Sequence, residues 1–326
     1  MTISTNDVFS ATHTARLLLN DYSSGNLSHA YMLIGNTGAG KRTLSRAFAQ
    51  LIMCEDPHGI TPCGECSTCR YFDSFGEHPN LTVVSLGNKA SIKVDDVREM
   101  SDGIYTAPYI GTKKIYIIEN AEKMTPQAQN ALLKILEEPP EYVVFFLLTA
   151  NRYAMLQTVM SRCRTLCMSL YSESALRNIA LSSAPELSAA QTDILIHRSQ
   201  GLPGKLISLL NSDEEERNGI FSAVTALLNN DIETIFSAAE KIDSRETALS
   251  FVNSINEIMR DASVYMVCRD EKMVFNADKT AVLESIAEKA TLKQIVNFLS
   301  ESMQTVKMLS GNVSYQLSVK NLLMKW

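Results

Sequence analysis

The chain has no long apolar run, no excess of basic residues and no apolar leader. Its longest apolar runs are about seven residues, far short of the roughly 20 that span a bilayer. The net charge of −6 argues against a free-standing nucleic-acid binder that relies on a broad basic face. The opening segment, MTISTNDVFSATHTAR, lacks the apolar core of a secretion signal. We therefore expect a cytoplasmic protein with no membrane partner.

Length and cysteine usage indicate a globular protein of more than one domain. At 326 residues the chain is long enough for two or three domains, and its 45% hydrophobic and 20% charged residues are ordinary. Thiols stay reduced in the cytoplasm, so the seven cysteines are not expected to form disulfides. Four of them cluster, and the other three, Cys163, Cys167 and Cys268, are most simply small buried hydrophobic residues.

Apolar runs alternate with helical periods in the first half of the chain. The runs predict buried strands over 30–34, 81–86, 114–118, 143–148 and 165–170. The helical periods predict helices over 11–23, 41–53, 94–104, 125–138 and 152–159. Such an alternation is typical of a parallel α/β sheet. From residue 171 to the end, only helical periods are found.

The change of pattern near residue 170 divides the chain into three predicted domains. An α/β domain covers residues 1–168 and contains a cysteine module over 54–69. A small helical domain follows over 169–211, and an all-helical domain covers 212–326.

A phosphate-binding loop follows the first predicted strand and opens the first long helix. It consists of Gly35, Asn36, Thr37, Gly38, Ala39, Gly40 and Lys41. Backbone N–H groups of such a loop cradle phosphates and the lysine reaches the terminal ones, so ATP or ADP is a candidate ligand. The usual pattern continues with a hydroxyl residue that binds Mg²⁺, but Arg42 stands there and Thr43 comes one residue late. A helical rotation of about 100° turns Thr43 away from the metal, which argues against Mg²⁺. The alternative is a loop retained only for its shape.

The acidic strand end also departs from the pattern of an ATPase. Such enzymes usually end this strand in Asp-Glu, with one carboxylate for the metal and one to activate water. Here the third predicted strand is followed by Glu119 and Asn120. Glu119 can still reach a metal, whereas Asn120 is not a base. Both departures weaken the same reaction, so nucleotide binding is expected at this site more than hydrolysis.

A cysteine cluster with the spacing C-x8-C-x2-C-x2-C follows the helix of this loop. Its members are Cys54, Cys63, Cys66 and Cys69. Four thiolates suit tetrahedral Zn²⁺ and leave no open position for a catalytic water, so a structural zinc site is predicted. Disulfides do not suit the compartment, an iron–sulfur cluster usually has other spacing, and a redox pair needs only two cysteines. His58 lies inside the cluster and could replace one ligand.

The segment Ser161-Arg162-Cys163 follows the fourth predicted strand and a short helix. An arginine at the edge of a domain can face a neighbouring subunit and stabilise the charge on a transferring phosphate there. A solvated ion pair is the alternative for a surface arginine. The residues alone leave both possibilities open.

Together these features resemble the clamp-loader branch of the AAA+ ATPases, which includes bacterial DNA polymerase III subunits of the gamma/tau and delta-prime kinds. The resemblance rests on the order of His29-Ala30-Tyr31, the loop, the four cysteines, Asn130–Pro140 and Ser161-Arg162-Cys163. It covers about residues 1–210 in motif detail, and beyond that only the helical character fits. It implies an AAA+ P-loop domain with a parallel sheet and a zinc-binding module, a small helical lid domain, and an all-α C-terminal collar domain for oligomerisation.

Within this family, the departures favour the delta-prime kind. Motor subunits of the gamma/tau kind have an intact loop and acidic strand end, and they place a nucleotide-sensing arginine where this chain has Gly204. A delta-prime subunit combines a damaged site with an intact Ser-Arg-Cys. The resemblance implies that Arg162 acts in trans on the next subunit's ATP, and that Thr149 or Asn151 lies in the sensor region. The chain would not be catalytic alone, although it would be part of the DNA polymerase III holoenzyme.

The implied partners are the gamma/tau and delta subunits of a five-membered ring, the sliding clamp that the ring opens, and the primed DNA that receives the clamp. The assembly would grip DNA, which agrees with the acidic charge of this chain. The main alternative is an active gamma/tau-like ATPase motor. Arg42 and Asn120 argue against it, because the first is not a ligand for Mg²⁺ and the second is not a base. A P-loop kinase or a thiol-based redox protein is a further alternative, although one bound zinc ion per chain would leave no free thiol pair.

Overall fold

A five-stranded parallel sheet is the centre of the N-terminal half of the protein. The computed structural model describes residues 5–75, 78–87, 89–212, 214–309, 311 and 313–326. The strands are β1 (Ala30–Ile34), β2 (Leu81–Val84), β3 (Lys114–Ile118), β4 (Val143–Thr149) and β5 (Arg164–Cys167). They run parallel in the order β2-β3-β4-β1-β5, so β1 lies between β4 and β5. The predicted α/β class with a parallel sheet is confirmed.

Two strands end earlier than their apolar runs predicted, and the reason is the length of their neighbours. β5 ends at Cys167 rather than at residue 170, because its partner Ile34 is the last residue of β1. β2 ends at Val84 rather than at residue 86, because Val84 is level with Ile118 at the end of β3. Beyond these points the neighbouring strands have turned into loops, so the ladder of backbone hydrogen bonds stops.

The helices of this half agree with the predicted ones, with three exceptions. They are α1 (Thr5–Ala11), α2 (His13–Ser23), α3 (Lys41–Met53), α4 (Ser67–Phe75), α5 (Val94–Asp102), α6 (Pro126–Glu137), α7 (Gln157–Met160) and α8 (Glu173–Ser183). The helix predicted over 11–23 is α2, which begins two residues later because extended Thr12 caps it by accepting a hydrogen bond from the N–H of Ala15. α1, which precedes it, was not predicted. The helix predicted over 152–159 is a 3₁₀ turn (Arg152–Ala154) followed by α7. α4 was not predicted, since a short segment between cysteines carries little periodic signal.

The two faces of the sheet are covered by different sets of helices. Leu33 and Phe146 belong to the core that includes side chains of α1, α2 and α3. Met32 and Phe145, their neighbours along the strands, belong to the core that includes side chains of α5, α6 and α7. Successive strand residues thus bury themselves on opposite faces, each stabilising the fold by about 1.5–3 kcal/mol. This double cover makes the sheet a firm support for the loops at its edges.

The chain divides into two compact units. One comprises the residues up to Glu186 together with Ser199–Ile207, and the other comprises Leu187–Arg198 together with Ser208–Trp326. The remaining α-helices are α9 (Ala189–Ser199), α10 (Pro203–Leu210), α11 (Glu214–Asn229), α12 (Ile232–Glu240), α13 (Arg245–Cys268), α14 (Thr280–Lys289), α15 (Leu292–Leu309) and α16 (Tyr315–Leu323). The second unit is helical and has its own apolar core, in which Met259 is fully buried. The three predicted domains stay a prediction. Of the described helices, none is long and apolar enough to cross a bilayer.

Candidate functional site

The phosphate-binding loop lies at the carboxyl edge of the sheet, between β1 and α3. Gly38 and Gly40 have φ values of +80° and +83°, in the left-handed region that favours glycine. A Cβ atom at Gly40 would lie 2.9 Å from the hydroxyl oxygen of Tyr171, so glycine also allows that ring to approach the loop. α3 begins at Lys41, and the N–H groups of its first turn have no intrahelical acceptors. The arrangement is suited to bind an anion.

Lys41 points back into its own loop. Its Nζ atom donates hydrogen bonds to the carbonyl oxygens of Gly35 and Asn36, at 2.5 and 3.0 Å. Burial lowers the pKa of Lys41, and the nearby Glu122 carboxylate offsets part of that shift. Glu122 stands in the 3₁₀ turn after β3 and accepts a hydrogen bond from the N–H of Ala150, at the end of β4. Sequence reasoning missed Glu122, because only the turn brings this position close to the lysine.

The two departures from the ATPase pattern, Arg42 and Glu119, form an ion pair with each other. The Nε atom of Arg42 lies 2.8 Å from Oε1 of Glu119. The side chain of Glu119 is 14% exposed, whereas that of Arg42 is 66% exposed. A guanidinium therefore neutralises the strand-end carboxylate where ATPases hold Mg²⁺. Because a guanidinium only donates hydrogen bonds and cannot coordinate a metal, these residues do not fit Mg²⁺.

A cavity of about 330 Å³ lies in front of the loop. Of the residues predicted for this site, 37–43, Glu119 and Asn120 line the cavity, whereas Gly35, Asn36 and Thr149 are not among its lining residues. Tyr171 and Ile207 contribute an apolar part of the wall. A wall that is polar on one side and apolar on the other suits a phosphate chain that carries a larger organic group.

Thr149, one of the two residues predicted for the sensor region, supports the loop and is not part of the cavity wall. It is fully buried, and its carbonyl oxygen accepts a hydrogen bond from the N–H of Gly35 at 3.1 Å. Its hydroxyl donates to the carbonyl oxygen of Asn151 and accepts from the N–H of the same residue. The neighbours Leu148 and Ala150 form that part of the wall. A sensor role for Thr149 therefore stays a prediction.

Gly204, in α10, packs its backbone directly against the phosphate-binding loop. Its N–H donates a hydrogen bond to the carbonyl oxygen of Gly38 at 2.8 Å. A Cβ atom at Gly204 would lie 2.7 Å from the Cα atom of Gly38, closer than real Cβ contacts. The loop and α10 would have to separate to admit an arginine here. Gly204 stands where motor subunits have the nucleotide-sensing arginine, and the lack of a side chain there lets the backbone of α10 contact the loop closely.

We expect Gly204→Ala to lower the free energy of unfolding by about 1–3 kcal/mol, because the new methyl group meets backbone that cannot rotate away. Gly219→Ala is the matched control, since Gly219 lies within α11 and has open space around its Cβ position. Alanine favours a helix over glycine by up to about 1 kcal/mol, so the control should be stabilised. Denaturant titration of both variants measures the difference, and equal stabilisation of both would contradict the packing argument.

The four clustered cysteines bring their sulfur atoms within 4.8 Å of one another. The separation is 3.8 Å between Cys54 and Cys69, 3.9 Å between Cys54 and Cys66, and 3.9 Å between Cys63 and Cys69. Four sulfurs around a tetrahedral zinc ion, each about 2.3 Å from it, are about 3.8 Å apart, whereas disulfide sulfurs are about 2.05 Å apart. The cluster could therefore hold a metal ion, and its geometry is not that of disulfides.

Backbone N–H groups surround the sulfur atoms. The Sγ atom of Cys63 accepts hydrogen bonds from the N–H groups of Glu65 and Cys66, at 3.4 and 3.3 Å. These donors lower the pKa of Cys63 to about 6. Burial instead raises the pKa of Cys54 and of Cys69. N–H donors favour the thiolate, which is the form that binds metals.

The other candidate ligand and the other thiols lie outside this cluster. His58 is exposed and does not belong to the group of close sulfur atoms in the described residues. Cys163 is buried, which raises its pKa to about 12. Cys167 and Cys268 are exposed, so the prediction that all three remaining cysteines are buried is wrong for these two. Cys167 ends the edge strand β5 and Cys268 ends α13, where less of the chain covers them.

Arg162 lies in the turn between α7 and β5, where two acceptors hold its guanidinium. Nη2 donates to Oε1 of Glu137 at 2.6 Å, and Nη1 donates to the carbonyl oxygen of Thr158 at 2.9 Å. The surface ion pair that was the alternative interpretation is therefore present. The side chain is still 34% exposed, so its other N–H groups can be reached from outside. Sequence reasoning missed Glu137, because it precedes Arg162 by 25 residues on another helix.

Arg162 and the phosphate-binding loop lie at opposite edges of the same sheet. The loop follows the end of β1, whereas Arg162 precedes the start of β5. The two strands run parallel, with Tyr31 level with Arg164. At about 3.3 Å per strand residue, the four steps from Tyr31 to Gly35 separate the two ends of the strands by about 13 Å, and Arg162 comes two residues before β5 begins. Arg162 is therefore too far away to contact a phosphate in its own loop.

Several known proteins similar to this chain are subunits of DNA polymerase III. The family described as "DNA polymerase III, delta subunit" matches residues 10–171. A tau/gamma subunit from Haemophilus influenzae is 37% identical over 159 residues, which cover 48% of this chain and 22% of that protein. A delta' subunit from Pseudomonas aeruginosa is 28% identical over 307 residues, which cover 92% of this chain and 92% of that protein. Among solved structures, a gamma-subunit-related protein from Thermotoga maritima aligns with a TM-score of 0.49 and 19% identity, over 94% of this chain and 97% of that one.

The extent of the alignments differs between the two kinds of relative. This chain spans 22% of the H. influenzae tau/gamma subunit and 24% of the Escherichia coli tau subunit. It spans nearly the whole of the P. aeruginosa delta' subunit. The H. influenzae and E. coli relatives thus share about half of this chain, whereas the P. aeruginosa delta' relative also aligns with the helical half.

Proposed function

We propose that this chain, which belongs to the clamp-loader subunits of DNA polymerase III, acts as the delta-prime-type member of the loader. In this role it hydrolyses little or no ATP at its own site and supplies Arg162 to the ATP site of a neighbouring subunit. The observation that carries the proposal is the Arg42–Glu119 ion pair, because it replaces the Mg²⁺ seat with a guanidinium. The partly exposed Arg162 supports the second half of the proposal.

A guanidinium supplied in trans would stabilise the negative charge that develops on the neighbour's transferring phosphate. Arg162 has five N–H donors, and its contacts with Glu137 and Thr158 use two of them. The remaining donors can turn toward phosphate oxygens while Glu137 keeps the side chain oriented. We therefore assign Glu137 a positioning role.

The assembly that follows from this role is a five-membered ring with gamma/tau and delta subunits. Residues 169–211 would form the lid of the nucleotide site, and residues 212–326 the collar through which subunits associate. The ring would open the sliding clamp and place it on primed DNA. The net charge of −6 supports a chain that touches DNA only as part of that assembly.

The cysteine cluster is proposed to hold one structural zinc ion. Its four sulfur atoms provide the donor set, the separations fit a tetrahedral site, and four thiolates leave no position for a reacting water. The ion would join the end of α3 to the start of α4, since Cys54 caps the C-terminus of α3 and Cys69 lies in α4. Its role is therefore to fix the module, not to take part in ATP chemistry.

We expect the isolated full-length chain to show no Mg²⁺-dependent ATP hydrolysis above the rate of a Lys41→Ala variant. The reason is that Arg42 cannot ligate Mg²⁺ and that Asn120 cannot accept a proton from water. A steady-state phosphate-release assay with and without Mg²⁺ measures this. Magnesium-dependent turnover by the wild type that Lys41→Ala abolishes would favour the alternative, an active gamma/tau-like motor.

A further inference from the structure

Arg42 places a positive charge beside the phosphate-binding loop, at the position where the usual pattern has a metal-binding hydroxyl. Its Nε atom meets Glu119 at 2.8 Å, and among the residues that the structure describes no side chain engages its two Nη atoms. The side chain lines the cavity next to Lys41 and is 66% exposed. Glu119 therefore attracts the guanidinium by its charge, while the Nη donors of Arg42 remain available to a ligand.

The chemistry of these donors matches a phosphate chain. A guanidinium presents N–H groups in a planar fork that fits two phosphate oxygens, and it carries a permanent positive charge. Lys41 adds a second positive charge, and the first turn of α3 adds backbone N–H groups. Mg²⁺ would face this guanidinium at close range and would find Glu119 already paired. The site thus has the charge and the donors for phosphate, but not the ligands for the metal.

We infer that this loop binds the phosphate chain of a nucleoside di- or triphosphate without a divalent cation, with Arg42 in the place of the metal. Lys41 and the loop amides contact the same phosphates, and Tyr171 and Ile207 contribute the apolar wall beside them. This is the same site at which the proposed function expects no ATP hydrolysis. The inference rests on the proposed function only for the expectation that the ligand is a nucleotide.

The test is a titration of the full-length chain with ATP that carries a fluorescent N-methylanthraniloyl group, in EDTA and in millimolar Mg²⁺. The wild type should bind the probe at least as tightly in EDTA as in Mg²⁺, because millimolar Mg²⁺ withdraws free nucleotide from a site that holds no metal. Arg42→Thr restores the hydroxyl of the usual pattern, so its binding in EDTA should weaken about tenfold or more and should recover in Mg²⁺. Lys41→Ala should lose binding in both conditions. Inorganic tripolyphosphate should displace the probe from the wild type.

Arg46→Ala is the matched control, because Arg46 lies on the same helix α3 but does not line the cavity. It should bind as the wild type does, and the melting temperature of each variant shows whether it is folded. Wild-type binding that requires Mg²⁺, an absence of binding, or equal affinity of Arg42→Thr in EDTA would each overturn the inference. These outcomes do not affect the role of Arg162, because a chain with an empty loop can still supply an arginine to its neighbour.

Discussion

Replacing Arg162 with alanine is expected to slow ATP turnover at the neighbouring site of the reconstituted loader by about a thousandfold, as for other arginines supplied in trans. The physical reason is the loss of a positive charge at the transferring phosphate, where little else can replace it. Assembly should be unchanged, because the side chain lies at the surface and its described contacts are with Glu137 and Thr158 of its own chain. DNA-stimulated ATPase and clamp loading, measured with the cognate gamma/tau and delta chains, test this.

Three further variants separate the role in trans from a general effect on folding. Arg162→Lys keeps the charge but not the planar fork, so it should restore little activity. Glu137→Gln loosens the orientation of Arg162, and should lower kcat while leaving the KM for ATP nearly unchanged. Arg98→Ala removes an arginine that pairs with Asp95 along α5 and should have no effect. Normal loading by Arg162→Ala would contradict the role in trans.

Replacing Cys69 with serine is expected to abolish the bound metal and to lower the melting temperature of the chain by about 5–15 °C. Cys69 is fully buried and its sulfur lies close to two other cysteines of the cluster. Without this sulfur the metal ion loses a ligand, and the remaining thiolates lose the cation that compensates their negative charge. Metal analysis of the purified wild type should give one zinc ion per chain. Thermal unfolding followed by circular dichroism measures the loss of stability.

Cys268→Ser is the control for this substitution, because Cys268 is exposed at the end of α13 and lies in the other compact unit. It should change neither the metal content nor the melting temperature. Visible absorbance of the wild type would indicate an iron–sulfur cluster instead of zinc. Full metal content in Cys69→Ser would contradict a site in which all four sulfurs are ligands.

Several features of the site could be predicted from single segments of the sequence. The loop from Gly35 to Lys41 joins β1 to α3 as predicted, because its glycines and the strand before it form one short contiguous pattern. The four cysteines were grouped correctly, since their spacing alone lets them converge. The strand and helix boundaries were less certain, as the early ends of β2 and β5 show. Those ends depend on the neighbouring strands, which periodicity does not identify.

Sequence by itself determined the alternation of strands and helices, the phosphate-binding loop and the cysteine cluster, because each depends on backbone geometry and side-chain period within a short stretch of chain. Tertiary structure alone decided the strand order β2-β3-β4-β1-β5, and with it the separation of Arg162 from its own loop. It also decided the pairs Arg42–Glu119 and Arg162–Glu137, whose partners lie on different elements. Such pairs form only when the sheet and its helices bring distant segments together, and no local pattern of residues records which segments those are.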